Sequence, residues 1–288
     1  MNDEKINSMK YKMLKEYEHF SKGGETLEEA VRRLYEIVAV LRKKCPWDIR
    51  QTHESLRGAM IEEIYEAVDD IDRGDMENLR EELGDVTLHV VFNSSLAEEN
   101  GDFNLVDVLN EECEKMIRRH PHVFSAENTA NKAKTVDKVL EKWENIKSKE
   151  HSETDVSQSL ADVPNALPSL MRSYKIQKKA AKMGFDWDDK EGALEKVMEE
   201  FKELKEAISE GSLEHMDEEL GDLLFSVVNV SRFLKINPEL ALKASSDKFI
   251  SRFQKMEEIA AREGESMEDM NVVELDLLWQ RAKKELSH

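Results

Sequence analysis

From Thr26 onward, apolar residues recur in steps of three and four: Leu27, Ala30, Val31, Leu34, Ile37, Val38 and Leu41. That spacing predicts an amphipathic helix with one face turned to a core. Thr26-x-x-Glu29 supplies a capping box at its start, since hydroxyl and carboxylate satisfy free amides there. Cys45-Pro46 ends it, because a residue before proline is pushed out of the α region. A second helix is predicted from about His53 to Ile71, a turn at Gly74-Asp75, and a third helix from about Glu77 to Glu98. Between Val86 and Phe92 the third is apolar on nearly every side, which predicts a place at the centre of a bundle. Asn104 is positioned to cap a fourth helix ending at Arg118-Arg119-His120-Pro121, and a further stretch, Val136 to Lys147, carries Val139, Leu140, Trp143 and Ile146.

The period is lost over residues 149–166, rich in Ser, Asp and Glu, which reads as a linker. The pattern then repeats. A shift of 137 carries Glu62, Glu63 and Glu66 onto Glu199, Glu200 and Glu203 (62 + 137 = 199), and Gly74 onto Gly211. It also carries Glu81-Glu82-Leu83-Gly84-Asp85 onto Glu218-Glu219-Leu220-Gly221-Asp222. Upstream, Trp47-Asp48 meets Trp187-Asp188 at a shift of 140, so the second loop is shorter by three (140 − 137). An internal repeat of this kind predicts a duplicated domain. The expected fold is all-α, a tandem repeat of two four- to five-helix bundles: an extension over 1–25, a first domain over 26–148, the linker over 149–166 and a second domain over 167–288.

Composition narrows the function. Among 288 residues, 42 Lys and Arg stand against 62 Asp and Glu, a net charge of −20. That balance argues against nucleic-acid coating, which needs an excess of cations to neutralise phosphates. No apolar run approaches the roughly 20 residues of a membrane span. MNDEKINSMK has no apolar core behind its charges, so no secretory signal is expected. Cys45 and Cys113 form no disulfide framework and read as small buried residues; a reducing cytoplasm is the expected location. No G-x-x-x-x-G-K-[ST] loop is present, which excludes a P-loop.

The repeated block carries the chemistry. On a helix, positions i, i+3 and i+4 share a face. Glu63 and Glu66, with Glu62 beside them, therefore project together, as do Glu82 and Asp85 one helix later. A turn at Gly74-Asp75 would face the two groups across a gap. Exposed Glu-Glu-x-x-Glu patterns are common in a chain that is 36% charged. Here, however, the second pair opens a helix that becomes apolar, and acids at such an entrance are costly unless paired or metal-bound. Two carboxylates held about 5 Å apart repel by roughly 3 kcal/mol at an effective dielectric near 20. Converging carboxylates of this kind suit Mg²⁺ or Mn²⁺, hard ions that prefer oxygen.

Glu-Glu-x-x-Glu followed after a turn by Glu-x-x-Asp resembles the motif of the all-α nucleoside triphosphate pyrophosphohydrolases. Other blocks are similar to the MazG family in order: Cys45-Pro46-Trp47-Asp48, Gln51-Thr52-His53-Glu54-Ser55-Leu56, Arg118-Arg119-His120-Pro121-His122-Val123-Phe124 and Gly184-Phe185-Asp186-Trp187. The resemblance runs from about Thr26 to Met256. It implies Mg²⁺-dependent hydrolysis of nucleoside triphosphates to the monophosphate and pyrophosphate, in a homodimer or with the two domains pairing within one chain. By the same resemblance the metal ligands are Glu63, Glu66, Glu82 and Asp85 in the first domain and Glu200, Glu203, Glu219 and Asp222 in the second. Glu62 and Glu199 are then auxiliary carboxylates, either further ligands or the base that orients water.

A polyphosphate approaching a protein of net charge −20 needs local cations besides the metal. Arg118 and Arg119, with Lys138 and Lys142 behind them, are the candidates in the first domain, Arg offering a fork matched to phosphate oxygens. In the second, Lys175, Lys178, Lys179, Lys182, Arg232, Lys248 and Arg252 are available, and Lys248 and Arg252 share a helix face. Trp47 and Trp187 are candidates to border the base, although bundle-end packing explains them equally well. His89 reads as a core histidine, and no His pair has zinc spacing. Two other readings stand beside the enzyme: a nucleotide-binding or regulatory module without turnover, and a helical scaffold whose acidic clusters are merely solvated.

Overall fold

The computed structural model describes residues 13–125 and 160–287, and between them 135, 136, 138, 139, 142, 143 and 146. The chain divides into two compact units, 1–150 and 151–288. Among the described residues both are helical and neither contains a strand.

In the first unit, α1 (Leu27–Lys44) starts in the expected capping box, Glu29 N–H donating to Thr26 Oγ1 at 3.2 Å while Glu29 Oε2 accepts from Thr26 N–H at 3.3 Å. A 3₁₀ turn at Lys15–Ser21 lies against it: Arg33 donates to the Phe20 carbonyl at 2.9 Å and Lys44 pairs with Glu16 at 3.0 Å. Thr52 caps α2 (His53–Arg73), which ends at Gly74 in the left-handed region, φ 70°. Asp75 caps α3 (Met76–Asn100) by accepting from the Glu77 and Asn78 amides, and Asn104 caps α4 (Leu105–Arg119). The described residues between Val136 and Ile146 are helical.

The buried part of α3 differs from the sequence expectation. Val86, Leu88 and Val90 are only partly covered, and the buried positions are His89, Val91, Phe92, Ser94, Ser95, Leu96 and Ala97. Phe92, Val91 and Leu96 meet Val38 of α1, Leu56 of α2 and Leu105 of α4, so the core closes towards the C-terminal half of α3. Arg42 of α1 fastens this end. It donates to Glu99 at 2.9 and 2.6 Å and to the Asp48 and Gln51 carbonyls.

The second unit begins inside the segment read as a linker: Leu160 and Ala161 are helical and Val163 is buried. Five helices follow: α5 (Ser169–Lys182), α6 (Lys190–Glu210), α7 (Leu213–Phe233), α8 (Pro238–Glu263) and α9 (Val272–Glu285). A core cluster joins Met256, Ile259 and Ala260 of α8 to Leu278 and Ala282 of α9.

The repeat survives as structure. Helices α2 and α6 are both 21 residues long and their ends correspond at the same shift, 53 + 137 = 190 and 73 + 137 = 210. Each stops at a left-handed glycine, Gly74 or Gly211 (φ 76°), and the next helix opens two residues later. A side chain would be strained at that φ, which is why glycine stands at both turns.

Candidate functional site

The turn at Gly74-Asp75 folds α3 back along α2 and brings carboxylates from both helices together. Oxygens of Glu63, Glu66 and Glu82 lie within 4.8 Å of one another. Glu62 is exposed on α2, and Asp85 stands half-buried one turn along α3; neither is among the gathered three. Glu82 is half-buried. Loss of hydration between the helices, reinforced by the charges of Glu66 and Glu63, pushes its carboxyl up to about 7. The strongest influences on it are burial and the neighbouring carboxylates of Glu66 and Glu63.

In the second unit the gathered carboxylates are Glu200, Glu219 and Asp222, again within 4.8 Å. Glu200 is 4% exposed, and its Oε2 has no hydrogen-bond partner. Burial and the neighbouring carboxylate of Glu200 raise the carboxyls of both Glu219 and Glu203. Here a cation is present. Lys196, one turn upstream on α6, places its ammonium 2.5 Å from Glu200 and 2.8 Å from Glu199, and these contacts raise its own pKa.

The donor set fits a hard divalent ion: each group consists of carboxylate oxygens only, drawn from two helices, and one group includes a buried acceptor without a partner. Asp85 and Glu203 lie one helical turn from the gathered acids of their units.

Of the cations expected to meet phosphate, Arg118 is exposed and Arg119 half-buried in the last turn of α4, and Arg119 lies over the Trp143 ring at 5.4 Å. Lys138 is exposed, and Lys182 is exposed at the end of α5. Arg232 is engaged in the protein. Its guanidinium grips Asp186 with two nitrogens, donates to Asn229 at 3.1 and 2.8 Å, and lies over Phe233. Such a fork ties the Gly184–Trp187 loop to α7, a pairing across 46 residues that spacing does not disclose. Lys248 is exposed on α8, and one turn further Arg252 lies 5.5 Å from the Trp279 ring. Phe249 and Trp279 stand 5.1 Å apart beside a hollow of about 450 Å³, an aromatic wall that the sequence reading did not single out. Trp279 sits in the α9 stripe between Leu275, Leu278 and Ala282, where it reads as ordinary core.

Trp47 is 64% exposed and Trp187 44% exposed, both just before the helix that carries the acids. Trp187 packs on Gly192 of α6, where an added Cβ would come within 3.1 Å of the ring. Cys113, expected to be buried, is exposed because it lies on the outer face of α4; Cys45 is half-buried, and both are free thiols. His89 is buried as expected, but its Nδ1 has no hydrogen-bond partner. No described helix is long and apolar enough to cross a membrane.

Residues 51–124 and 189–256 each match the MazG nucleotide pyrophosphohydrolase domain. The chain is 42% identical over 262 residues to the nucleoside triphosphate pyrophosphohydrolase/pyrophosphatase MazG of Thermotoga maritima, covering 89% of this chain and 98% of that protein. It is 37% identical over 260 residues to the nucleoside triphosphate pyrophosphohydrolase of Escherichia coli K12, covering 88% of this chain and 97% of that protein. A crystal structure of a mazG-related protein from Thermotoga maritima aligns with a TM-score of 0.35 at 27% identity, covering 41% of this chain and 98% of that one.

Proposed function

The chain belongs to the MazG family of nucleotide pyrophosphohydrolases, and from that premise we propose that it converts nucleoside triphosphates and water to nucleoside monophosphates and pyrophosphate, using Mg²⁺ or Mn²⁺ held by the gathered carboxylates. The observation that carries this reading is the convergence of three carboxylates between a helix pair, once in each unit.

Glu63, Glu66 and Glu82, with Asp85 within one turn, would hold the ion in the first unit; Glu200, Glu219 and Asp222, with Glu203, would do so in the second. The bound ion supplies a grip on phosphate oxygens, a water of lowered pKa and charge neutralisation at the leaving pyrophosphate. Glu62 and Glu199, both exposed, would orient the attacking water or accept its proton as it adds to the α-phosphorus. Arg118 and Arg119, and Lys248 with Arg252, would receive the departing charge, a positioning and electrostatic task of the kind on which phosphoryl chemistry rests. Arg232 and Lys182 act more remotely in this scheme, Arg232 by fixing the loop that presents Trp187. The exposed rings of Trp47 and Trp187 can border any base, since every base has a π-face, which supports the broad tolerance of a nucleotide-pool house-cleaning enzyme.

The same helices leave apolar side chains uncovered, Ile61, Ile64 and Leu83 in one unit and Met198, Phe201 and Leu220 in the other, at matching positions. Such a stripe supports a homodimer in which a second copy covers it.

The test is a panel of ribo- and deoxynucleoside triphosphates with pyrophosphate and orthophosphate detected separately, with Mg²⁺ and with chelator. Pyrophosphate and monophosphate in equal amounts, only with metal, is the expected result. Orthophosphate as the product, or saturable binding without product, would overturn the reading.

A further inference from the structure

Lys196 stands where the first unit has Ala59 (196 − 137 = 59). Helices of equal length, starting and ending at one shift, give this correspondence without a gap. The Lys196 ammonium contacts one oxygen of Glu200 at 2.5 Å, and the other oxygen, in a side chain only 5% exposed, has no partner. Glu200 is also the acid that reaches across to Glu219 and Asp222. The buried carboxylate is therefore half satisfied: an ammonium serves one oxygen, and the second still lacks a positive or donor group. A buried acceptor left in that state is costly, and Glu219 and Asp222 beside it bring negative charge that cannot supply what is missing.

We propose that Lys196 is a resident counter-ion of the second carboxylate group and sets the two units apart in divalent-ion affinity. Among the described residues the first unit, with a methyl group at Ala59, offers the ion three carboxylates and no ammonium beside them. The second must take the ion in the presence of a fixed positive charge that already shares its most buried ligand. The inference rests on the metal reading above. The ordinary role for such a lysine is an i,i+4 surface pair that does nothing beyond stiffening the helix, and a titration separates the two.

The experiment uses the full chain and Mn²⁺ alone as probe, with free Mn²⁺ counted by electron paramagnetic resonance. Glu63→Gln with Glu82→Gln silences the first unit. In that background Lys196→Ala is expected to tighten Mn²⁺ binding by about tenfold or more, the scale on which one charge 4–6 Å away acts on another. Lys196→Met, which keeps the apolar stem, should do the same. In the reverse background, Glu200→Gln with Glu219→Gln, Ala59→Lys should weaken the first site by a similar factor. Circular dichroism melts establish that each variant is folded. Unchanged or weaker Mn²⁺ binding in both folded Lys196 variants would overturn the inference while leaving the metal sites intact. No Mn²⁺ binding by the parent chain would overturn the metal reading and the inference together.

Discussion

The first unit gathers Glu63 and Glu82 with Glu66, whereas the second gathers their counterparts Glu200 and Glu219 with Asp222. Both rest on the same frame, a 21-residue helix, a left-handed glycine and a returning helix. They differ in how the crowded charge is relieved. In the first, Glu82 is pushed towards protonation, to about 7; in the second, Lys196 lies among the acids. One backbone geometry thus carries two charge environments, with Lys196 among the second unit's acids where the first unit has Ala59.

The most severe way to break the comparison is to remove an acid from each unit separately. Glu66→Gln and Glu203→Gln are expected to assign the active unit, with one of them losing about 100-fold or more of pyrophosphate release, beyond the loss usual for a mere supporting partner. Turnover retained in both variants would break the assignment of both clusters.

A milder test uses pH. Glu82 is raised from its ordinary value of 4.5 to about 7 in the folded protein. The stability this group contributes is therefore fully present below about pH 4.5 and lost as pH rises through about 7. In chelator, calorimetry should show the first unit's melting temperature falling between pH 5 and pH 8. Glu82→Gln or added Mg²⁺ should flatten that fall. Glu219 and Glu203 are shifted in the same direction, so the second unit should show the same sign. A first-unit melt that is flat in chelator would show that the carboxylates are not crowded in solution.

The smallest expected effect is a symmetric one. Gly74→Ala and Gly211→Ala each place a Cβ on a left-handed residue, which costs about 1 kcal/mol. Denaturation should report a similar loss from each unit, and unequal losses would show that the two frames are not equivalent.

Much of this was legible in the chain because local rules govern it. The capping box at Thr26, the cap at Asn104 and the glycine stops depend on residues within four positions of each other. The repeat by itself marks the second acid set. What escaped depends on distant packing. The buried centre of α3 lies nearer its C-terminus because α1 and α4 meet it there, and no periodicity within α3 records that. Lys196 was overlooked because Lys and Glu four apart are ordinary in so charged a chain; its meaning appears only once Glu200 is seen to be buried. The Arg232–Asp186 clasp joins residues far apart in sequence, so an arginine read as a phosphate ligand was already engaged.

The two-residue hinge between the acid-bearing helices has a consequence for variation in chain length. One extra residue within either helix, between its acids and the hinge, would rotate those acids by about 100° about the helix axis and swing them away from their partners. The stretch from Glu63 to Asp85, and its copy, is therefore length-frozen. Insertions and deletions belong upstream, between the tryptophan and the acid helix, where the two copies already differ by three residues (140 − 137).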